Sequence, residues 1–96
     1  MSHAEGNDTS AQGNYSHAEG ISTSAVGTNS HAEGNATSAI GMSSHAEGDG
    51  TSAYGDYSHS EGSCIYALGN MSHAEGQGFV TRSNFTISGL ANSTTY

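Results

Sequence analysis

Six imidazoles and six carboxylates share one spacing in this chain. His3, His17, His31, His45, His59 and His73 each precede a glutamate by two residues: Glu5, Glu19, Glu33, Glu47, Glu61 and Glu75. Such pairs offer three kinds of chemistry. They have the ligand types for a zinc-like cation. They titrate near neutral pH. With the serine before each histidine, they have the composition of a nucleophile, base and carboxylate. The last possibility fails on geometry. Neighbours on an extended strand point to opposite faces, so each serine points away from its histidine. The sequence also supplies no oxyanion-hole context. No catalytic residue is expected.

The residues around these pairs form an exact repeat. Ser-His-(Ala/Ser)-Glu-Gly begins at Ser2, Ser16, Ser30, Ser44, Ser58 and Ser72, always 14 residues apart. A fixed short period marks a stacked architecture in which each unit leans on its neighbours. The histidines and glutamates therefore belong to columns rather than to one pocket. The first unit reads Ser2–Gly6, then Asn7-Asp8, then Thr9–Gly13, then Asn14-Tyr15. This is two five-residue strands joined by two-residue turns. The closing glycines are expected to supply the freedom a corner needs. A helix is excluded, because glycine every seven residues costs about 1 kcal/mol each in a helix interior.

Strand alternation assigns the faces. Ala4, Ala18, Ala32, Ala46, Ser60 and Ala74 share the inward face with Ala11, Ala25, Ala39, Ala53 and Ala67. Thr9, Thr23, Thr37 and Thr51 fall on that inner side, which argues against a flat ice-ordering threonine face. Gln12, Val26, Ile40, Tyr54 and Leu68 occupy one variable position and are expected at the surface. His and Glu face outward as two ladders, with rungs about 4.8 Å apart. The ladder is read as architecture: polar ladders can be purely structural and no Asp or Cys joins it in register, so no metal and no cofactor are expected. Asp8, Asp49 and Asp56 lack the nine-residue spacing of a calcium-binding β-roll. If the histidines are packed neutral, protonation destabilises the fold; if they pair with the glutamates, it stabilises it.

Composition sets further limits. The 96 residues carry a net charge of −8, with one arginine and no lysine. Nothing is present to neutralise phosphates, which excludes nucleic acid and anionic membrane surfaces as partners. No apolar run is long enough to span a bilayer. The lone Cys64 cannot form a disulfide within the chain and reads as a tolerated turn residue. The opening Met1-Ser2-His3, already inside a repeat, reads as a fragment of a longer protein or a chain that has lost a leader.

The pattern Ser-x-Ala-x-Gly-x-x-(Ser/Thr)-x-Ala-x-Gly over residues 2 to about 78 resembles the head repeats of YadA-like trimeric autotransporter adhesins. The Ser-His-Ala-Glu-Gly form is similar to a variant in phage and bacterial surface or tail-fibre proteins, some of which continue into a self-cleaving chaperone domain. The resemblance implies an all-β, left-handed parallel β-roll, a β-solenoid of 14-residue, two-strand coils in a side-by-side homotrimer. It also implies that the outward positions of the first strand face the trimer centre. Carried over, those positions are the twelve His and Glu residues above. Here they are polar where the adhesins are apolar.

Two segments result: a repeat array over 1–78, and a degenerate repeat over 79–96. In the second, Phe79, Val80, Phe85, Ile87 and Leu90 concentrate the apolar residues and read as a cap or chain junction. The expected role is a stiff stalk or head of a trimeric fibre, extracellular, on a cell surface or a virion. The partner is the chain itself, with room for a host-surface receptor. The alternatives are an end-to-end solenoid filament and a metal-binding His/Glu ladder protein.

Overall fold

The computed structural model describes residues 1–77 and, beyond them, the backbone of Val80–Thr81 and Thr86–Ile87. Each repeat contributes one long and one short strand. The long strands are β1 (His3–Asn7), β3 (His17–Ile21), β5 (His31–Asn35), β7 (His45–Asp49), β9 (His59–Ser63) and β11 (His73–Gln77). The short ones are β2 (Ser10–Ala11), β4 (Ser24–Ala25), β6 (Ser38–Ala39), β8 (Ser52–Ala53), β10 (Tyr66–Ala67) and β12 (Val80–Thr81), and β13 (Thr86–Ile87) follows. The second segment of each repeat is thus two residues of strand where five were expected. Its closing residues turn the corner instead.

Strands of a kind stack in parallel, giving a seven-stranded sheet β1-β3-β5-β7-β9-β11-β13 and a six-stranded sheet β2-β4-β6-β8-β10-β12. The chain is a β-solenoid with one coil per 14 residues. Register places like on like: His17 opposite His31, Glu19 opposite Glu33, Ala25 opposite Ala39. Columns read from the sequence are therefore columns in space.

The two sheets meet across a thin core of small side chains. Ala18, Ala32, Ala46 and Ala74 from one sheet and Ala25, Ala39, Ala53 and Ala67 from the other are fully buried. Ser60 replaces alanine in the first column without leaving the core; its hydroxyl donates to the Ile65 carbonyl at 3.1 Å. Thr23, Thr37 and Thr51 are also buried, as alternation expects, and Ile65 takes their place in the fifth repeat. With so little apolar area per residue, long-range order comes from repetition. Every coil gives its neighbour the same close contact.

Two features hold the corners. Ser16, Ser30, Ser44 and Ser58 each donate a side-chain hydrogen bond of 2.6 Å to the carbonyl three residues earlier. The left-handed corner residue is the second of each connector, and among the described residues glycine fills that place only at Gly50. Ala36, Ser43, Tyr57 and Cys64 adopt the same conformation at φ 57–61°. Glycine is required elsewhere, for proximity. A Cβ on Gly41, whose φ is ordinary, would collide with the Gly55 backbone and lie 2.8 Å from the Asp56 nitrogen. The expectation that closing glycines serve the corner is thus corrected for this column: they let successive coils touch.

Candidate functional site

The outer face of the long-strand sheet carries the His and Glu columns. Side chains from the second repeat onward are about one-third exposed, whereas those of His3 and Glu5 are 62% exposed. The imidazoles stack: ring centres of His17, His31, His45, His59 and His73 follow one another at 4.7–4.8 Å, and the interplanar angle is 3–21°. At the open end the His3 ring stands 82° to His17. The stacking follows from the register, since identical side chains on parallel strands adopt one rotamer and lie over one another.

Each histidine meets its own glutamate. The Nε2–Oε1 distance is 2.6 Å for His3–Glu5, 3.5 Å for His17–Glu19, 3.3 Å for His31–Glu33 and 3.0 Å for His45–Glu47. His59–Glu61 and His73–Glu75 stand at 2.8 Å. Contacts also cross between coils: Glu19 reaches His31 at 3.8 Å, and Glu33 reaches His45 at 4.0 Å. These cross-coil contacts were not anticipated from the sequence, which paired residues only within a strand. The signal was there, because a rung spacing of about 4.8 Å is within reach of a glutamate side chain.

Distance and direction disagree along the ladder. The Nε2 atoms of His17, His31, His45, His59 and His73 are shielded from solvent and have no aligned hydrogen-bond partner among the described residues. The carboxylates approach closely but off the line of the ring nitrogen. Direction decides here, because a hydrogen bond weakens steeply away from linearity. Only His3 makes an aligned bond, to Glu5. That bond, then the charge of His3, holds the Glu5 carboxyl below its ordinary value; His17 adds a smaller effect against slight desolvation.

The glutamate column and the Gly6–Gly48 column beside it border a shallow open groove. Just past the short strands Ile40 and Tyr54 are exposed, and Val26 and Leu68 half-buried, which places the variable position at the surface. Cys64 is exposed at its corner. The corner serines are buried with their hydroxyls on glycine carbonyls, on the far side of the strand from the histidines. Of the five cap residues, Phe79, Phe85 and Leu90 lie outside the described residues, as do the side chains of Val80 and Ile87. The backbones of those two continue the sheets, β12 on β10 and β13 on β11. No helix among the described residues is long and apolar enough to cross a membrane.

A solenoid of 14-residue, two-strand coils with small residues inside and one repeated polar face is a repeat architecture, in which every coil presents the same groups. The family described as YadA head domain repeat (2 copies) matches at residues 4–30, 18–44 and 32–58, together more than half of the 96 residues. The chain belongs to this family, whose repeats are structural rather than enzymatic. No curated protein and no solved structure gives a significant match.

Proposed function

We propose that this segment is a stiff stalk or head section of a homotrimeric fibre displayed outside a cell or on a virion. The long-strand sheets of three chains turn toward a common axis. The observation that carries the reading is the ladder itself. Six His/Glu pairs keep one face and one register while the position after each short strand varies from Gln12 to Tyr54. A face free of partners drifts in composition; a face packed on copies of itself must present the same groups at every level. The unaligned Nε2 atoms support this, because shielded polar groups are costly without partners. A three-fold axis offers each rung the same groups from two further chains. Trimeric assembly in this family and the charge balance both fit: each chain brings imidazole and carboxylate to the axis, so no lysine or arginine is needed. The surface role follows from the adhesin family, and a receptor would meet the variable outer face.

Size-exclusion chromatography with light scattering tests the assembly. A discrete species of three chains is the expected result. A monomer contradicts the reading, and long polymers replace it with an end-to-end filament.

A further inference from the structure

We propose that the ladder is a linear array of divalent transition-metal sites. Each is built within one chain from two histidines on successive coils and the glutamate between them. The inference goes beyond the fibre reading and does not rest on trimer formation.

Ligand atoms are already gathered. In His17, Glu19 and His31, one donor atom from each lies within 4.8 Å of the others, and the same holds in five overlapping groups along the column. The carboxylate straddles the pair, with Glu19 Oε1 3.5 Å from His17 and Oε2 3.8 Å from His31. From His17 onward the ring nitrogens that would bind have no aligned partner in the described structure, whereas that of His3 would exchange its bond to Glu5 for the ion. A neutral imidazole with a free Nε2 lone pair is a metal donor, and an ion between two of them would satisfy both.

Geometry asks the paired rings to turn. Zinc binds imidazole nitrogen at about 2.0–2.1 Å, so two nitrogens sharing an ion stand no more than about 4.2 Å apart. The rings are 4.7–4.8 Å apart and nearly parallel, so their lone pairs run side by side, and the two rings of a pair must turn out of the stack to converge on one ion. The face allows it. The side chains are one-third exposed, and His3 at 82° to His17 shows that the column accepts a turned ring. Two nitrogens and one carboxylate oxygen leave a fourth position for water. Imidazole donors select zinc, cobalt, nickel or copper over magnesium and calcium, which prefer all-oxygen shells. The net charge of −8 adds a general attraction for cations.

Sharing limits the count. Neighbouring groups use the same histidine, and one Nε2 binds one ion. Six histidines taken in adjacent pairs therefore hold at most three ions per chain. Adjacency, and not the number of histidines, sets the capacity.

That gives the test. Binding of zinc and of nickel to the full chain, in whatever oligomer it forms, is measured by equilibrium dialysis with elemental analysis. The wild type is expected to hold three ions per chain and to melt at a higher temperature with zinc, with no response to magnesium. A triple variant on alternate coils, His17→Gln, His45→Gln and His73→Gln, keeps three histidines but no neighbours, and should bind none. A triple variant on consecutive coils, His45→Gln, His59→Gln and His73→Gln, also keeps three and should bind one. Circular dichroism confirms that both remain folded. Equal binding by the two variants overturns the proposal, because it would place ions between chains at one level or on single histidines. A wild type that retains no zinc or nickel overturns it too. Light scattering reports the trimer separately, so either idea can fail alone.

Discussion

Replacing Gly34 by alanine should cost far more than replacing Gly50, although both glycines have positive φ. Gly34 has φ +114°, and a Cβ there would collide with the Gly48 carbonyl oxygen and lie 2.9 Å from the Gly48 nitrogen. Backbone strain of this kind costs about 1–3 kcal/mol. Forcing atoms into a packed contact adds about 1–3 kcal/mol. The obstructing atoms are backbone, and Gly48 makes the same contact with Gly62, so one coil cannot retreat without pushing the next. Gly50 has φ +70°, and the nearest atom to a Cβ is the Cys64 nitrogen at 3.9 Å. Alanine already occupies the equivalent corner at Ala36, so Gly50→Ala should cost only the left-handed penalty of about 1–2 kcal/mol. Gly34→Ala should then lose about 2–6 kcal/mol, a large share of the 5–15 kcal/mol typical of a domain. Urea unfolding followed by circular dichroism, at one protein concentration for both variants, measures the difference. Equal losses would refute the argument that glycine in the Gly6–Gly62 column is needed for coil contact.

Three further outcomes follow from the core, the corners and the ladder's open end. The Thr37 hydroxyl is buried without a partner, whereas that of Thr51 donates to the Glu47 carbonyl at 3.1 Å. Thr37→Val should raise stability by about 1 kcal/mol and Thr51→Val should gain less or lose, read by thermal denaturation. Ser30→Ala removes the 2.6 Å bond to the Gly27 carbonyl and should cost about 1 kcal/mol in the same assay. The depressed Glu5 carboxyl contributes stability above the ordinary carboxylate range and loses it as pH falls through its lowered value. In His3→Gln the Glu5 titration midpoint, followed by NMR, should move up toward that ordinary value.

Much of this architecture was legible before any coordinates. Alternation separated Ala18 and Ala25 from His17 and Glu19, and the period of 14 placed each column, because parallel register turns sequence repetition into spatial repetition. Corner chemistry was less legible. Asn, Ser and Asp signalled turns, but the left-handed conformation falls on whichever residue stands second, including Tyr57 and Met71. The stack imposes that conformation against local preference. The two-residue length of β4 and β6 was also hidden, because Ser-Ala-Val-Gly and Ser-Ala-Ile-Gly continue a strand-like pattern past the point where the chain turns. Stacking angles and the reach of Glu19 to His31 depend on rotamers, which no spacing encodes.

The central claim is that the His/Glu face packs on copies of itself. Disulfide trapping tests it most directly, in a Cys64→Ser background that removes the exposed free thiol. His31→Cys stands on the ladder, and Ser24→Cys stands on the outer face of the opposite sheet. On oxidation, His31→Cys should give covalently linked chains while Ser24→Cys gives none. Linkage at position 24 with none at position 31 would contradict the account, since it would turn the short-strand sheet inward and the ladder toward solvent.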